Sequence, residues 1–320
     1  MQRRTVIQAV TAASLGWPLA RADRWPERPV TFICTWPAGG TADATMRALC
    51  QSASKVLGQP VVVDNKAGAA GMLGLKALAH ARPDGYTIGQ IPISVTRFHQ
   101  LGTVSVSPFK DLTYLARTSG QTFGMAVRSE SPWLTLKDWV QAAKNQPGVL
   151  NYGTSGVGGA AHVGMEEFAM AAGIELRHIP YKGGAPALQD LLSGHIDVLS
   201  DSSSWAPHVQ SGRLRLLATW GAQRTQGFPK VPTLRDLGYD VVVDAPNGVG
   251  APKGIDPKIE QQWRHALRLA CASPEFIEAC TRLDVPVAYL DGPDYEKYVM
   301  ETYRKETLLI EKLKLKESLT

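Results

Sequence analysis

The chain has 320 residues, of which 44% are apolar and 20% charged, and its formal net charge is +5. This length suits two domains of ordinary size, and this composition is typical of a globular protein. Residues 1–22 hold three arginines and no acid, so the rest of the chain has 31 basic against 29 acidic residues. That balance, without a basic stripe interleaved with aromatic residues, argues against a nucleic-acid partner.

The N-terminus has the pattern of an export signal. Arg3 and Arg4 precede a mildly apolar run over 5–19, and Ala20-Arg21-Ala22 offers a small-x-small cleavage site. We therefore predict a twin-Arg-like signal peptide over residues 1–22, a mature start near Asp23 and a periplasmic location. A Sec signal with two incidental arginines is the alternative. No later segment has 18 uninterrupted apolar residues, so no membrane span is expected.

A glycine-rich turn at residues 36–43 follows a predicted strand over 29–34 and precedes a predicted helix over 44–57. In an open α/β sheet, ligands bind at such strand exits. Gly39 and Gly40 let the backbone approach a ligand, and the free N–H groups of the helix favour an anion. The turn has no Lys or Arg, so neutral donors would hold that anion. A plain strand-to-helix turn is the alternative.

The second half of the chain repeats this scheme, with a strand over 149–152, a glycine-rich loop over 153–159 and a helix over 160–172. Four strands are predicted before residue 118 and five over 123–218. A strand near 241–250 that returns to the first sheet would make two five-stranded α/β domains. We predict residues 23–122 with 242–320 as domain 1, and residues 123–241 as domain 2. The two glycine-rich loops would then face each other across a cleft at a double-crossover hinge.

Two enzyme-like motifs in the second loop are weak. Residues 156–161 fit the dinucleotide pattern Gly-x-Gly-x-x-Ala, but an anion-binding turn explains them equally well, and no cofactor is predicted. Residues 153–156 begin a nucleophile elbow that would use Ser155, yet Val157 stands where the last glycine is needed. His162 would serve as a second donor at the helix start, with a surface histidine as the alternative.

Metal binding is not predicted, because the sequence has no Cys-x-x-Cys and no His-x-x-x-His. Cys271 and Cys280 flank a helix break at Ser273-Pro274, so they are the expected disulfide of an exported chain. Buried free thiols are the alternative for Cys34 and Cys50.

Two further polar residues follow strands in the second domain. Tyr181 would line the cleft or pack at the domain edge. Asp201 would be a cleft acid or a solvated loop acid. An ionised Asp201 would repel a second carboxylate and attract an ammonium group. It therefore predicts a hydroxylated or amino monocarboxylate over a tricarboxylate.

A set of motifs in this order resembles the Bug family, the extracytoplasmic solute receptors of tripartite tricarboxylate transporters. They are PAGGTAD at 37–43, LGQPVVVDNKAGA at 57–69, PDGYT at 83–87, NYGTSGVG at 151–158, PYKG at 180–183, APAL at 185–188 and VPTL at 231–234. The resemblance covers about residues 24–320. It implies a type II periplasmic binding protein fold that closes on small carboxylates.

The resemblance also implies a site shared by the first loop of each domain. On this chain the residues are Ala38, Gly39, Gly40 and Asp43, then Thr154, Ser155, Gly156, Gly158 and His162, with Asp201 at the cleft edge. Residues 244–248 lack the aromatic segment common in similar proteins, and 201–204 are unusually rich in hydroxyls. These departures concern the far end of the ligand.

We therefore expect a monomeric receptor without catalytic activity that captures a small organic carboxylate for membrane transporter subunits. A ligand sensor for a signalling partner and a hydrolase using Ser155 are the alternative functions.

Overall fold

Two mixed β-sheets with packed helices make up the structure, a computed structural model that describes residues 25–313 and Leu315. The predicted signal peptide and its cleavage site lie outside the described residues. Within the described part of the chain, no helix is both long and apolar enough to cross a membrane.

The strands follow one another along the chain as β1 (Val30–Cys34), β2 (Val61–Asn65), β3 (Thr87–Pro92), β4 (Leu112–Ser119), β5 (Phe123–Arg128), β6 (Asn151–Thr154), β7 (Arg177–Pro180), β8 (Val198–Ser202), β9 (Leu214–Thr219), β10 (Asn247–Pro252) and β11 (Val287–Asp291). The first lobe contains the sheet β11-β4-β10-β3-β1-β2, and the second lobe contains the sheet β7-β6-β8-β5-β9. In the first sheet β1 is parallel to β2 and β3, and β10 pairs antiparallel with β3 and β4. In the second sheet β6 is parallel to β7 and β8, and β5 pairs antiparallel with β8 and β9.

The helices are α1 (Thr41–Leu57), α2 (Met72–Ala79), α3 (Val95–Gln100), α4 (Leu136–Asn145), α5 (Ala160–Ala172), α6 (Gly184–Leu192), α7 (Ala206–Gln210), α8 (Pro257–Cys271), α9 (Pro274–Arg282) and α10 (Gly292–Lys312). Local sequence explains several starts. Thr135 caps α4 in a capping box with Asp138, and Ser273 caps α9. Gly58 and Gly173 end α1 and α5 in the left-handed conformation that glycine favours.

One hydrophobic cluster runs from the first lobe into the second. It joins Leu75 and Tyr114 beneath the six-stranded sheet to Trp139 and Phe168, whose rings stack with centroids 6.3 Å apart beneath the other sheet. The chain crosses between the sheets after β4 and again after β9. The predicted two-lobed fold with a double crossover is therefore confirmed, while the residue boundaries of the two domains stay a prediction.

The first sheet has six strands, not the five predicted, because Val287–Asp291 pairs with β4 at the edge. This strand is short and mostly half-buried, and its register is irregular, so its sequence lacks a clear period-two pattern. The returning strand is Asn247–Pro252, and residues 241–243 precede it as irregular chain.

The expected Cys271–Cys280 disulfide is wrong: all four cysteines are buried free thiols. Cys271 and Cys280 pack into the hydrophobic cluster between α1, α8 and α9. Each behaves as a small apolar side chain there, and burial raises the pKa of both thiols to about 12.

We expect thiol counting without reductant to find four reactive thiols in denaturant and very slow labelling of the folded protein. The reason is that burial withholds both the thiolate form and access to reagent. Ellman titration before and after unfolding measures this difference. Two thiols in denaturant would show that a bridge forms.

Candidate functional site

A cleft between the lobes encloses about 630 Å³ of empty space, including the part open to solvent. Both glycine-rich loops reach it, as the sequence predicted. The side chains and backbone that line it are Trp36, Pro37, Gly40, Thr41, Ala42, Gln90, Pro92, Ile93, Ser94, Gln121, Phe123, Ser155, Ala160, Ala161, Gly184, Asp201, Ser202, Ala245 and Pro246.

Two helices point their N-termini at this cleft. α1 begins at Thr41 after Gly40, and α5 begins at Ala160 after Gly159. The first N–H groups of a helix have no partner within it, and the helix dipole makes that end attractive to anions. Of the described residues that line the cleft, Asp201 alone has an ionisable side chain. An anion between the lobes would therefore be held by backbone N–H groups and hydroxyls.

Thr41 is a cleft residue that the sequence analysis did not single out. Its side chain is 3% exposed, and its Oγ1 has no hydrogen-bond partner within the described chain. A buried unpaired hydroxyl costs free energy that a ligand oxygen would recover. The sequence offered one indication of this role: Thr41 lies inside the glycine-rich turn, just before the predicted start of the helix.

The carboxyl of Asp201 lies in a nearly closed polar pocket, and the residue is 3% exposed. The Ser202 N–H and the hydroxyls of Ser155 and Ser204 are the hydrogen-bonding groups around its carboxyl. Burial nevertheless raises the pKa of Asp201 to about 7. A carboxyl with that pKa is only partly ionised at neutral pH, so the full charge from which an amino or hydroxylated monocarboxylate was predicted is not present.

Asn247 joins the floor of the cleft to the crossovers. Its Oδ1 accepts from Gln90 Nε2 and Gln121 Nε2, each at 3.0 Å, and its Nδ2 donates to Ser119 Oγ at 2.9 Å. Gln90 and Gln121 also line the cleft. These residues were missed because their partners are more than 120 positions apart in the sequence.

Several predicted residues of the first loop do not line the cleft. Ala38 and Gly39 are exposed, and of the four predicted residues in this loop only Gly40 reaches the cavity. Asp43 is 4% exposed and accepts from the Gly39 N–H at 3.0 Å and from Asn65 Nδ2 at 2.8 Å, and it pairs with Arg47. Asp43 therefore fixes the shape of the loop.

The two hydroxyls of the second loop separate. Ser155 lines the cleft, whereas Thr154 is fully buried and its Oγ1 lies 2.7 Å from His178 Nε2. The Gly156 N–H donates to Thr154 Oγ1 at 3.2 Å. Thr154 therefore supports the loop from behind.

The other predicted residues of the second lobe lie outside the main cavity. Gly156 has a φ of +139° and packs against Ala70 of the first lobe, where an added Cβ would come within 3.3 Å of backbone nitrogen. His162 Nδ1 accepts from the Gly158 N–H at 3.1 Å, and its ring stacks on His178 beside a separate cavity. Tyr181 donates to Asp190 at 2.6 Å. Within the described chain no hydrogen bond joins Ser155 to a histidine.

A buried ion pair of the first lobe contacts the second loop. Arg97 of α3 donates to both carboxyl oxygens of Glu306 on α10, at 2.7 and 2.6 Å. The same guanidinium donates through Nη1 to the carbonyl oxygen of Gly158 at 2.8 Å. Near the end of α10, Lys312 pairs with Glu167 of α5 at 2.5 Å. The lobes are therefore held together by α3 and α10 on one side of the cleft.

Two α/β lobes joined by a double crossover, with a cleft between them, make up the fold of periplasmic binding proteins. The model of the tripartite tricarboxylate transporter family receptors matches residues 45–315. This chain is 41% identical to the UPF0065 protein in the gbd 5' region of Cupriavidus necator, over 98% of this chain and 99% of that protein. The chain belongs to the tripartite tricarboxylate transporter receptor family, which confirms the resemblance to Bug proteins.

Solved structures agree with this assignment. The structure of the periplasmic binding protein BugD is 27% identical, with a TM-score of 0.86, and the match covers 90% of this chain and 98% of that one. The R. palustris protein Rpa4515, solved with adipate, is 25% identical with the same TM-score and the same coverage.

Proposed function

We propose that this protein is an exported receptor that captures a small organic carboxylate between its lobes for the membrane subunits of a tripartite-type transporter. One observation carries the proposal: the N-termini of α1 and α5 converge on a cleft whose described lining has no Lys or Arg. Such a site holds an anion by dipoles and hydrogen bonds alone, so closure binds it and opening releases it.

Relatives support the ligand class and the location. Rpa4515 binds adipate, a carboxylate, in the same fold. The family consists of transporter receptors, and BugD is a periplasmic binding protein. The export pattern over residues 1–22 agrees with a periplasmic role. We propose that the mature receptor is a monomer, since one chain supplies both faces of the cleft.

Ser155→Ala should raise the dissociation constant for the ligand. Losing a hydrogen bond to a charged group costs about 1.5–3 kcal/mol, or roughly ten- to a hundredfold in affinity. Thr154→Ala is the matched control, because its hydroxyl faces His178 and not the cleft. We expect this control to lose thermal stability and to keep an affinity within about threefold of the parent.

Isothermal titration calorimetry with a panel of dicarboxylates, together with thermal unfolding, measures both variants. Equal affinity in the parent and in Ser155→Ala would place the ligand outside this cleft. A larger loss in Thr154→Ala than in Ser155→Ala would contradict the orientation of the loop.

A further inference from the structure

We propose that Asp201 takes part in binding as a neutral carboxylic acid, donating a hydrogen bond to a carboxylate oxygen of the ligand. The receptor would then select di- and polycarboxylates without an amino group over amino acids. This inference rests on the proposed function and names the ligand class of the same cleft.

The surroundings of Asp201 lack a positive charge. The groups packed against its carboxyl are the Ser155 side chain after β6, the Ser202 N–H at the end of β8, the Ser204 hydroxyl just after β8, and Gly184 at the start of α6. No cationic or second acidic side chain of the described residues shifts its pKa. A buried carboxyl without a counter-ion favours its uncharged form.

The carboxyl is also fixed in place. An added Cβ on Gly184 would lie 1.7 Å from Asp201 Oδ2, so the carboxyl fills the notch that this glycine leaves. The Ser202 N–H and the Ser155 and Ser204 hydroxyls are its other polar neighbours. A carboxyl packed against Gly184 in this way has little room to turn away from an anion that enters the cleft.

An anionic ligand in the cleft therefore favours the protonated form of Asp201. An ionised carboxyl would repel the ligand at short range, with no cation in the described lining to offset the repulsion. A protonated carboxyl offers an O–H donor to the same ligand oxygen. Burial already brings the pKa of Asp201 to about 7, so the protonated form is available near neutral pH. The protonated carboxyl keeps its carbonyl oxygen as an acceptor, so it offers an ammonium group a weaker partner than an ionised carboxylate would.

The pH dependence of binding tests this assignment. If only the protonated form binds, the apparent dissociation constant rises as the protonated fraction falls, by about a hundredfold at two pH units above the pKa. The direction of the change with pH is therefore fixed. The affinity is highest below the pKa of Asp201 and decreases as the pH rises through it. Burial lowers the pKa of His162 and lowers that of His178 to about 3, which moves the titration of both away from the alkaline range in which Asp201 loses its proton.

The experiment is calorimetric titration of the full protein with adipate, glutarate and L-glutamate between pH 6 and pH 9. Glutarate and L-glutamate differ only in the amino group. We expect tighter binding of glutarate, an affinity that falls about a hundredfold by pH 9, and proton uptake shown by titration in buffers of different ionisation enthalpy.

Asp201→Asn keeps a neutral N–H donor at the same position. We expect it to bind diacids within about threefold of the parent at pH 6 and to lose the pH dependence, so that it exceeds the parent at pH 9. Asp240→Asn is the control, because Asp240 lies in an exposed ion pair with Arg235 and should leave the profile unchanged. Thermal unfolding verifies that each variant is folded.

Three outcomes would overturn the inference. They are an affinity that rises with pH, tighter binding of L-glutamate than of glutarate, and an Asp201→Asn variant that loses diacid binding at pH 6 while remaining folded. Each of these leaves the proposed receptor function intact, since a carboxylate still binds. Absence of binding for all three probes at every pH would contradict both proposals.

Discussion

Replacing Arg97 with methionine should lower the free energy of unfolding by about 3–5 kcal/mol, because it leaves the Glu306 carboxylate buried and unpaired. The side chains of Arg97 and Glu306 are only 5% and 9% exposed. The variant also loses the hydrogen bond from Arg97 to the Gly158 carbonyl across the lobes. We therefore expect weaker ligand binding in addition to lower stability.

Urea unfolding followed by tryptophan fluorescence measures the loss. In the double variant Arg97→Met/Glu306→Leu most of the stability should return, since replacing a buried ion pair by apolar side chains is often neutral. Arg235→Met is the matched control, because it removes an exposed partner of Asp240 and should change stability by at most about 1 kcal/mol. A loss under 1 kcal/mol in Arg97→Met would show that water or another group satisfies Glu306.

Thr41→Val should weaken ligand binding roughly ten- to a hundredfold, by removing an unpaired cleft hydroxyl from which the ligand would accept a hydrogen bond. The free protein should not lose stability, because its Oγ1 has no partner in the described chain and valine has nearly the same shape. The variant would therefore separate affinity from stability.

Thr45→Val gives the opposite pattern one helical turn later. Thr45 Oγ1 donates to the carbonyl oxygens of Thr41 and Ala42, at 2.9 and 3.1 Å, and Thr45 is fully buried outside the cleft lining. We expect a stability loss of about 0.5–1.5 kcal/mol with unchanged affinity. Calorimetry and urea unfolding of both variants test the pair, and equal effects on affinity would refute the role of Thr41.

The sequence was sufficient to predict the two lobes and the two loops, because each loop lies between an apolar strand and a helix with one apolar face. The alternation of strand side chains could have separated Thr154 from Ser155. Consecutive residues at a strand end point to opposite faces, so only one of the two hydroxyls can face the cleft.

Other parts of the site depend on contacts that no local pattern reveals. Arg97 and Glu306 are 209 positions apart, and their pairing follows from the packing of α3 against α10. The charge state of Asp201 depends on its burial, which a sequence read one loop at a time does not show. Asp43 looked like a ligand contact because its loop faces the cleft, yet its carboxyl is bonded to that loop and to Arg47.

The crystal structure of the mature protein with the tightest-binding dicarboxylate tests the central claim most directly. We predict a ligand carboxylate between the N-termini of α1 and α5, within hydrogen-bond distance of the Thr41 and Ser155 hydroxyls. A ligand bound instead in the cavity beside His162 and His178, or in the groove beside Tyr181, would contradict the account.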